Sequence, residues 1–283
     1  MATVGLCIIC HDRPMELKDA LASAGPGWDA IAVVDMASHP PLRPQPSVLW
    51  RRSDENLGVT GGRNLLAEMC PTEVLTFLDD DAVFLVEAAA ALRERFRAEP
   101  RLGLVAFKVS RPGGARVASE YPFRGRPRED GDARRCAYFV GCGYAVRRDA
   151  LEAVGGYDET FFYSTEEVDL GFRLMRAGWH LLYDPAIAIE HRPSKRGRSV
   201  APRVPKLVLR NQLIVSRRYL PVAVGTVHTA AWAAWSLTAS VRLRTLRPWL
   251  EGWCEGLREP VDRYPLSWAQ LWEIHRLGGR VLW

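Results

Sequence analysis

The chain has 283 residues, of which 48% are hydrophobic and 25% are charged, and its formal net charge is +5. This is the composition of a folded globular protein, and it excludes collagen-like, largely disordered and disulfide-rich chains. The six cysteines and an N-terminus without a basic, apolar leader predict a reducing, cytoplasmic location.

Short apolar runs alternate with helical patterns in the first 110 residues. Strands are predicted at 4–9, 31–34, 48–51, 74–78 and 104–109. Helices are predicted at 14–24, 62–69 and 86–98. This alternation predicts an α/β fold, in which a mainly parallel sheet is covered by helices on both faces.

The second half of the chain is less regular. Residues 111–135 are rich in Gly, Pro and charged residues, which predicts a long mobile loop that could cover a site. Strands are predicted at 136–146, 179–183 and 186–190, and a helix at 165–177. A basic linker at 194–205 leads into a helical C-terminal part with many Trp and Arg residues.

Positive charge is concentrated near the C-terminus. Twelve Lys and Arg residues and no Asp or Glu lie between His191 and Leu250, which predicts an anionic partner such as a membrane surface, a lipid phosphate or a nucleotide. No nucleic-acid motif accompanies this charge, so nucleic acid is not an expected partner. Residues 219–241 lack Asp, Glu, Lys and Arg and are long enough to span a bilayer. Their Ala, Thr and Ser content favours a buried or interfacial helix instead.

Polar side chains follow three of the predicted strands. They are His11, Asp12 and Arg13 after the first strand, Asp35 at the end of the second, and Asp79, Asp80 and Asp81 after the fourth. If these strands are neighbours, the three groups face one crevice. Asp79 and Asp81 alternate along an extended chain and therefore point the same way, as ligands of Mg²⁺ or Mn²⁺ would. The alternative is an acidic loop that caps the next helix.

Three further segments each allow a functional and a structural interpretation. The Gly-rich run from Gly58 to Asn64 precedes a predicted helix, where backbone N–H groups and Arg63 could bind phosphate, or it is a plain turn. Glu167 could act as a base, or it could form a capping box with Ser164. His191, just after a strand, could bind a metal ion or lie on the surface.

Several motifs, taken in order, resemble those of the inverting family 2 glycosyltransferases with the GT-A fold, particularly the rhamnosyltransferase-like bacterial branch. They are residues 8–14, 33–35, 56–58 with 61–64, 77–81, 155–159 with 161–162, 166–170 and 176–178. The resemblance implies a GT-A, Rossmann-like catalytic domain at 1–193, with a nucleotide-sugar-binding half at 1–110 and an acceptor-binding half at 111–193. Residues 194–283 would form a basic, Trp-rich helical extension.

The resemblance also implies roles for individual residues. Glu167 stands where the family usually has an aspartate base, and the extra methylene makes Glu166 a second candidate. Asp79, Asp81 and His191 would bind Mg²⁺ or Mn²⁺. The residues expected to contact the nucleotide sugar are His11, Asp12, Arg13, Asp35, Asn56, Gly58, Arg63, Asp79 and Asp80. The usual Pro-Thr-Tyr-Asn at the first strand end is Ile-Cys-His-Asp here, so the nucleoside contacts differ.

The expected activity is metal-assisted, inverting transfer of a sugar from a UDP- or dTDP-sugar to an acceptor hydroxyl on a glycan, a lipid-linked sugar or a natural product. Two alternatives are a nucleotidyltransferase that makes the sugar nucleotide, and a degenerate, non-catalytic module that binds a sugar nucleotide or a membrane. The extension could dock peripherally on the inner face of the cell membrane, pack on the catalytic domain or form a homodimer interface.

Overall fold

The computed structural model describes residues 2–125, 131–194, 196, 203–242 and 244–279. The strands are β1 (Val4–Cys10), β2 (Ala30–Met36), β3 (Leu49–Ser53), β4 (Val74–Leu78), β5 (Ala82–Phe84), β6 (Leu102–Ser110), β7 (Arg134–Cys136), β8 (Gly143–Arg147) and β9 (His180–His191). The helices are α1 (Pro14–Ser23), α2 (Gly58–Met69), α3 (Ala89–Ala98), α4 (Arg148–Ala153), α5 (Glu166–Arg176), α6 (Val204–Tyr219), α7 (Val222–Arg242), α8 (Leu246–Arg258) and α9 (Trp268–Arg276).

One sheet joins the strands of the chain from β1 to β9. Across the described residues it has nine strands in the order β3-β2-β1-β4-β8-β6-β9-β5, with β7 beside β9, and six of the nine run in the same direction. Two large clusters of buried side chains, made from both faces of the strands, form the core. The predicted mainly parallel α/β sheet is confirmed. Because β2, β1 and β4 are neighbours, their carboxyl ends lie along one edge.

The helix predicted at 62–69 begins four residues earlier, at Gly58. The Gly-rich segment is therefore the first turn of α2 and not a turn before it. A Cβ atom on Gly62 would lie 2.7 Å from Cγ2 of Ile9, so glycine lets this helix approach β1 closely. Glycine is a poor helix former, which is why the sequence pattern placed the helix start too late.

The strand pattern of the second half also differs from the prediction. The two strands predicted at 179–190 are one continuous strand, β9, whose register with β6 shifts between Phe107 and Lys108. The strand predicted at 136–146 is divided between β7 and β8, because residues 137–142 turn away towards α5. β5 has only three residues and was not predicted.

The segment predicted as a mobile loop at 111–135 contains ordered structure in its described part. It forms two short 3-10 turns, at 112–114 and 118–120, and buries Glu120, Tyr121 and Phe123. The Tyr121 and Phe123 rings pack against Tyr183 of β9. Residues 126–130 lie outside the described part of the chain. The first part of this segment is therefore anchored beside the sheet.

The C-terminal helices pack against α5. Tyr219 of α6 meets Phe172 of α5 edge to face, with ring centroids 5.4 Å apart, within an apolar cluster that also includes Leu271 and Ile274 of α9. No helix in the described ranges combines the length and the apolar character needed to cross a bilayer. The division into domains at residue 193 stays a prediction.

Candidate active site

A cluster of metal-ligand type lies at the carboxyl edge of the sheet. One ligand atom each from Asp79, Asp81 and His191 lies within 4.8 Å of the others. Strand pairing explains the meeting, because antiparallel β5 and β9 place Ala82 opposite His191. The backbone N–H of Ser194 donates to Asp81 Oδ2 at 2.9 Å and fixes its carboxylate. Two carboxylates and an imidazole suit Mn²⁺ or a similar divalent ion.

Both ring nitrogens of His191 face carboxylates. Nε2 lies 3.3 Å from Oδ1 of Asp81, and Nδ1 lies 2.6 Å from Oε1 of Glu120. Burial disfavours the imidazolium, but its hydrogen bonds to Asp81 and Glu120 raise the pKa of His191. Burial likewise opposes ionisation of Asp81, yet the bonds from His191 and Ser194 lower its pKa. The imidazole of His191 is therefore held between two acidic side chains.

Glu120 is placed to orient the imidazole ring of His191, because its Oε1 lies 2.6 Å from Nδ1 of that ring. Metal-binding histidines commonly donate their second N–H to a carboxylate, which fixes the ring and its tautomer. Arg111 donates from Nε to Glu120 Oε2 at 2.7 Å and holds it in turn. Sequence reasoning missed Glu120, because it lies in the segment whose composition predicted a mobile loop. No spacing pattern connects it to His191.

Asp80 is buried, with 5% of its surface exposed, and it shares an arginine partner with Asp81. Arg13 Nη1 donates to Asp80 Oδ1 at 2.7 Å and to Asp81 Oδ2 at 3.1 Å. Burial, opposed by Arg13, raises the pKa of Asp80 to about 7. Arg13 and Asp80 therefore join the end of β1 to the acidic segment after β4. Their predicted contact with the nucleotide sugar stays a prediction.

The ends of β1 and β2 are tied together by hydrogen bonds. His11 Nδ1 lies 2.6 Å from the Met36 carbonyl, and the Asp12 N–H donates to Ser38 Oγ at 2.9 Å.

Asp35 has no exposed surface, and it accepts hydrogen bonds from the N–H groups of Ser38 and Leu42 and from Arg52. Asp35 is therefore fully buried and bonded within the protein, and its predicted contact with the nucleotide sugar stays a prediction.

The predicted phosphate-binding residues are engaged in protein contacts. Asn56 Oδ1 accepts from the Gly58 N–H at 3.0 Å. Gly58 has φ of +73°, and a Cβ there would collide with the Phe162 carbonyl, so this position requires glycine. Arg63 is only 3% exposed and stacks on Tyr144. Arg63 is therefore a buried residue close to Asp79, and the predicted binding of phosphate by this segment stays a prediction.

Arg63 joins the acidic cluster to the two candidate bases. Its Nη1 donates to Glu166 Oε1 at 3.1 Å, and its Nη2 donates to the Gly141 carbonyl at 2.7 Å. The same Nη2 lies 3.7 Å from Oδ1 of Asp79. The N–H of Gly141 donates to Glu167 Oε1 at 3.2 Å. A Cβ on Gly141 would lie 2.6 Å from that oxygen, so glycine permits this approach.

Glu166 and Glu167 have different surroundings. Glu166 is buried, and its Oε2 has no hydrogen-bond partner among the residues that the structure describes. Burial and the neighbouring charge of Glu167 raise the pKa of Glu166 to about 8. Burial also raises the pKa of Glu167, although this side chain is partly exposed. Burial thus raises the pKa of both carboxyls.

The capping box between Ser164 and Glu167 does not form. The N-cap residue of α5 is Thr165, in the left-handed conformation and without a side-chain cap. The carboxylate of Glu167 therefore turns to Gly141 and stays near the site. Further along α5, Arg173 Nε donates to Asp169 Oδ2 at 2.8 Å, one turn apart on the helix.

Comparison with known proteins finds a family model and relatives that match this chain. The model of the family described as "Glycosyl transferase family group 2" matches residues 74–244. An N-acetylglucosaminyl-diphospho-decaprenol L-rhamnosyltransferase of Mycobacterium tuberculosis is 33% identical over 116 residues, which are 40% of this chain and 35% of that protein. A pre-mycofactocin glycosyltransferase of the same organism is 30% identical over 142 residues, which are 47% of this chain and 30% of that protein. The chain thus spans about a third of the length of these relatives.

Solved structures share the fold at low sequence identity. A crystal structure of GalNAc-T7 with UDP, GalNAc and Mn²⁺ has a TM-score of 0.64 and 15% identity, and the match covers 83% of this chain and 51% of that one. Residues 1–349 of S. aureus TarS in complex with UDP have a TM-score of 0.53 and 14% identity, covering 75% and 65%. The GT-A type of α/β fold is confirmed.

Proposed function

The chain belongs to glycosyl transferase family group 2 and is a transferase enzyme; we propose that it moves a sugar from a UDP- or dTDP-sugar to an acceptor hydroxyl with inversion at the anomeric carbon. The observation that carries this proposal is the link through Arg63 between the Asp79–Asp81–His191 cluster and the pair Glu166–Glu167. The family does not support a nucleotidyltransferase or a non-catalytic module.

A divalent ion fits the residues of the acidic cluster. Asp79, Asp81 and His191 supply oxygen and nitrogen donors close together, and Glu120 orients the imidazole. When bound, Mg²⁺ or Mn²⁺ would offset negative charge on the departing nucleoside diphosphate. The relative with UDP and Mn²⁺ supports this choice of ion and donor. Arg63 adds positive charge next to Asp79 while it keeps its buried contact with Glu166.

Glu167 is the better candidate for the general base. It is partly exposed, whereas Glu166 is buried and paired with Arg63. Burial and the neighbouring charge of Glu167 raise the pKa of Glu166 to about 8, so we assign the base to the partly exposed Glu167. Glu167 then accepts the proton of the acceptor hydroxyl as the oxygen attacks the anomeric carbon from the face opposite the diphosphate. This single displacement inverts the configuration.

A donor screen tests the proposed function directly. Purified protein is incubated with a panel of UDP- and dTDP-sugars, with Mn²⁺, and with lipid-linked and soluble acceptors, and the products are identified by mass spectrometry and NMR. We expect a nucleoside diphosphate and a glycoside of inverted configuration. Retention of configuration, or donor binding without turnover on every acceptor, would contradict the proposal.

Weaker metal binding is the expected result of Glu120→Gln. The amide keeps the size of the side chain but loses the charge that orients His191, a change that typically lowers metal affinity by about 10–100-fold. Mn²⁺ affinity is measured by electron paramagnetic resonance without donor. Glu99→Gln is the matched control, because Glu99 pairs with His180, away from the cluster. Equal affinities in the two variants would rule out this role of Glu120.

The extension has the surface expected for peripheral membrane contact, which we include in the proposal. Exposed leucines 246, 250 and 257 lie on one side of α8, and Trp235 of α7 is 63% exposed. Exposed Arg242, Arg244 and Arg247 lie close to them in the sequence and add positive charge. This combination suits an anionic bilayer surface, where each basic residue contributes about 1 kcal/mol. The decaprenol-linked substrate named for one relative is consistent with it.

Salt-sensitive flotation with vesicles of phosphatidylcholine and phosphatidylglycerol is therefore expected for the wild-type chain. The double variant Leu246→Glu/Leu250→Glu should lose most of this binding, because charge replaces the apolar contact. Leu49→Glu, at an exposed position on β3, is the control. Flotation of the double variant equal to wild type would contradict the membrane contact. If the double variant instead loses a dimer that the wild-type chain forms, this surface is an interface with a second copy of the chain.

A further inference from the structure

The two residues before α5 have an unfavourable backbone conformation. Ser164 and Thr165 have φ of +72° and +75°. This region is strained for non-glycine residues, and a β-branched residue such as Thr165 adopts it rarely. This turn directs the chain into α5 and so sets where Glu166 and Glu167 stand. Contacts from elsewhere must therefore hold it.

Asn211 of α6 supplies such contacts from the C-terminal extension. It has no exposed surface, and its Nδ2 donates to the carbonyls of Tyr163 at 2.9 Å and Ser164 at 2.8 Å. Arg210 donates from Nη1 to Asn211 Oδ1 and to the Thr160 carbonyl, both at 2.9 Å. The amide is thereby oriented with both N–H groups towards the turn.

A second set of contacts lies just after the candidate base. Asp169 Oδ1 accepts from the Tyr219 hydroxyl at 2.6 Å and from Arg218 Nη1 at 2.9 Å. Tyr219 and Arg218 end α6, so this helix holds the chain on both sides of Glu167. From the opposite side, Thr60 of α2 donates to the Phe161 carbonyl at 2.9 Å.

We propose that Asn211 is a positioning residue for sugar transfer, which fixes the Ser164–Thr165 turn and thereby the location of the Glu167 carboxylate. This inference rests on the proposed function of Glu167. It makes α6 of the extension a working part of the catalytic site, beyond any role in membrane contact.

The test compares Asn211→Asp with Ser216→Ala in the full chain. The introduced carboxylate keeps the size of the side chain but presents an oxygen to two carbonyls, so it cannot hold the turn. Ser216 is a buried residue of the same helix, and among the described residues its hydroxyl bonds to Gly225 and Thr229, which also belong to the extension. We expect Asn211→Asp to lower kcat by about 10²-fold, as a misplacement of about 1 Å would, with KM for the donor changed less than about threefold. Ser216→Ala should keep kcat within about threefold.

A readout independent of activity follows from the helix start. The N–H groups of Val168 and Asp169 donate to the Thr165 carbonyl at 3.1 and 3.2 Å. Their hydrogen exchange should become faster in Asn211→Asp, while exchange in α7 stays at the wild-type rate. Adding Ser164→Gly should restore part of the lost kcat, because glycine adopts positive φ without strain.

The outcomes separate the two proposals. Wild-type kcat and exchange in Asn211→Asp, or equal losses in Asn211→Asp and Ser216→Ala, would overturn the role of Asn211. If Asn211→Asp is too unstable to assay, kcat is measured in the double variant Asn211→Asp/Ser164→Gly and in the milder variant Asn211→Gln. If neither variant recovers kcat, the proposed role of Asn211 is overturned. Full activity of Glu167→Gln would instead remove the proposed base itself.

Discussion

Replacing Asp81 by Asn should lower the rate of sugar transfer by about 10²–10⁴-fold, because metal stabilisation of a leaving diphosphate is worth several kcal/mol. Asp81 faces His191 and accepts a hydrogen bond from the Ser194 N–H, so its carboxylate is the centre of the proposed metal site. The measurement is kcat at saturating donor over a range of Mn²⁺ concentrations. Excess Mn²⁺ should restore only part of the rate.

Two controls accompany this variant. Asp54→Asn removes an exposed carboxylate outside the site and should keep the wild-type rate. Because Asp81 also accepts a hydrogen bond from Arg13, thermal unfolding must show that Asp81→Asn is folded. A folded variant with wild-type turnover and Mn²⁺ affinity would exclude Asp81 as a metal ligand.

Glu167→Gln should reduce kcat by about 10²–10⁴-fold, the usual contribution of a positioned general base. Donor affinity should change little, since Glu167 lies beside Gly141 and not among the metal-binding side chains. Donor affinity is measured by calorimetry and kcat by product release. Glu94→Gln, on an exposed face of α3, is the matched control.

The pH dependence gives this prediction a second readout. Glu167 must be ionised to accept a proton, and burial raises its pKa above the usual value for Glu. The wild-type rate should therefore fall as pH drops through this raised pKa, at a higher pH than for an exposed carboxylate. The residual rate of Glu167→Gln should not show this fall at low pH. An unchanged profile, or a nearly full rate, would assign the base to another group such as Glu166.

Strand ends and local spacing made part of the site predictable. Apolar runs located β1, β2 and β4, and the alternation of Asp79 and Asp81 correctly predicted that they lie together. Parallel strands must present their carboxyl ends at one edge, so this part depends on local pattern and general topology alone.

Long-range pairing and backbone strain could not be predicted in the same way. The contact of His191 with Glu120 depends on a segment whose composition is that of a loop, and nothing in the spacing links the two. The Ser164–Glu167 pattern matched a capping box, but tertiary contacts from Asn211 favour a left-handed turn there. Arg63 looked like a phosphate ligand, and only the fold shows that it is buried close to Asp79.

The pairing of β5 with β9 has a consequence for how this protein folds. Asp81 and Ser194 are 113 positions apart in the sequence, so their contact closes a long loop at a considerable entropic cost. An ion bound by Asp81 and His191 would stabilise this closed loop, since a ligand that prefers the native state shifts the folding equilibrium towards that state. Metal binding at this site would then stabilise the native state in addition to supporting catalysis.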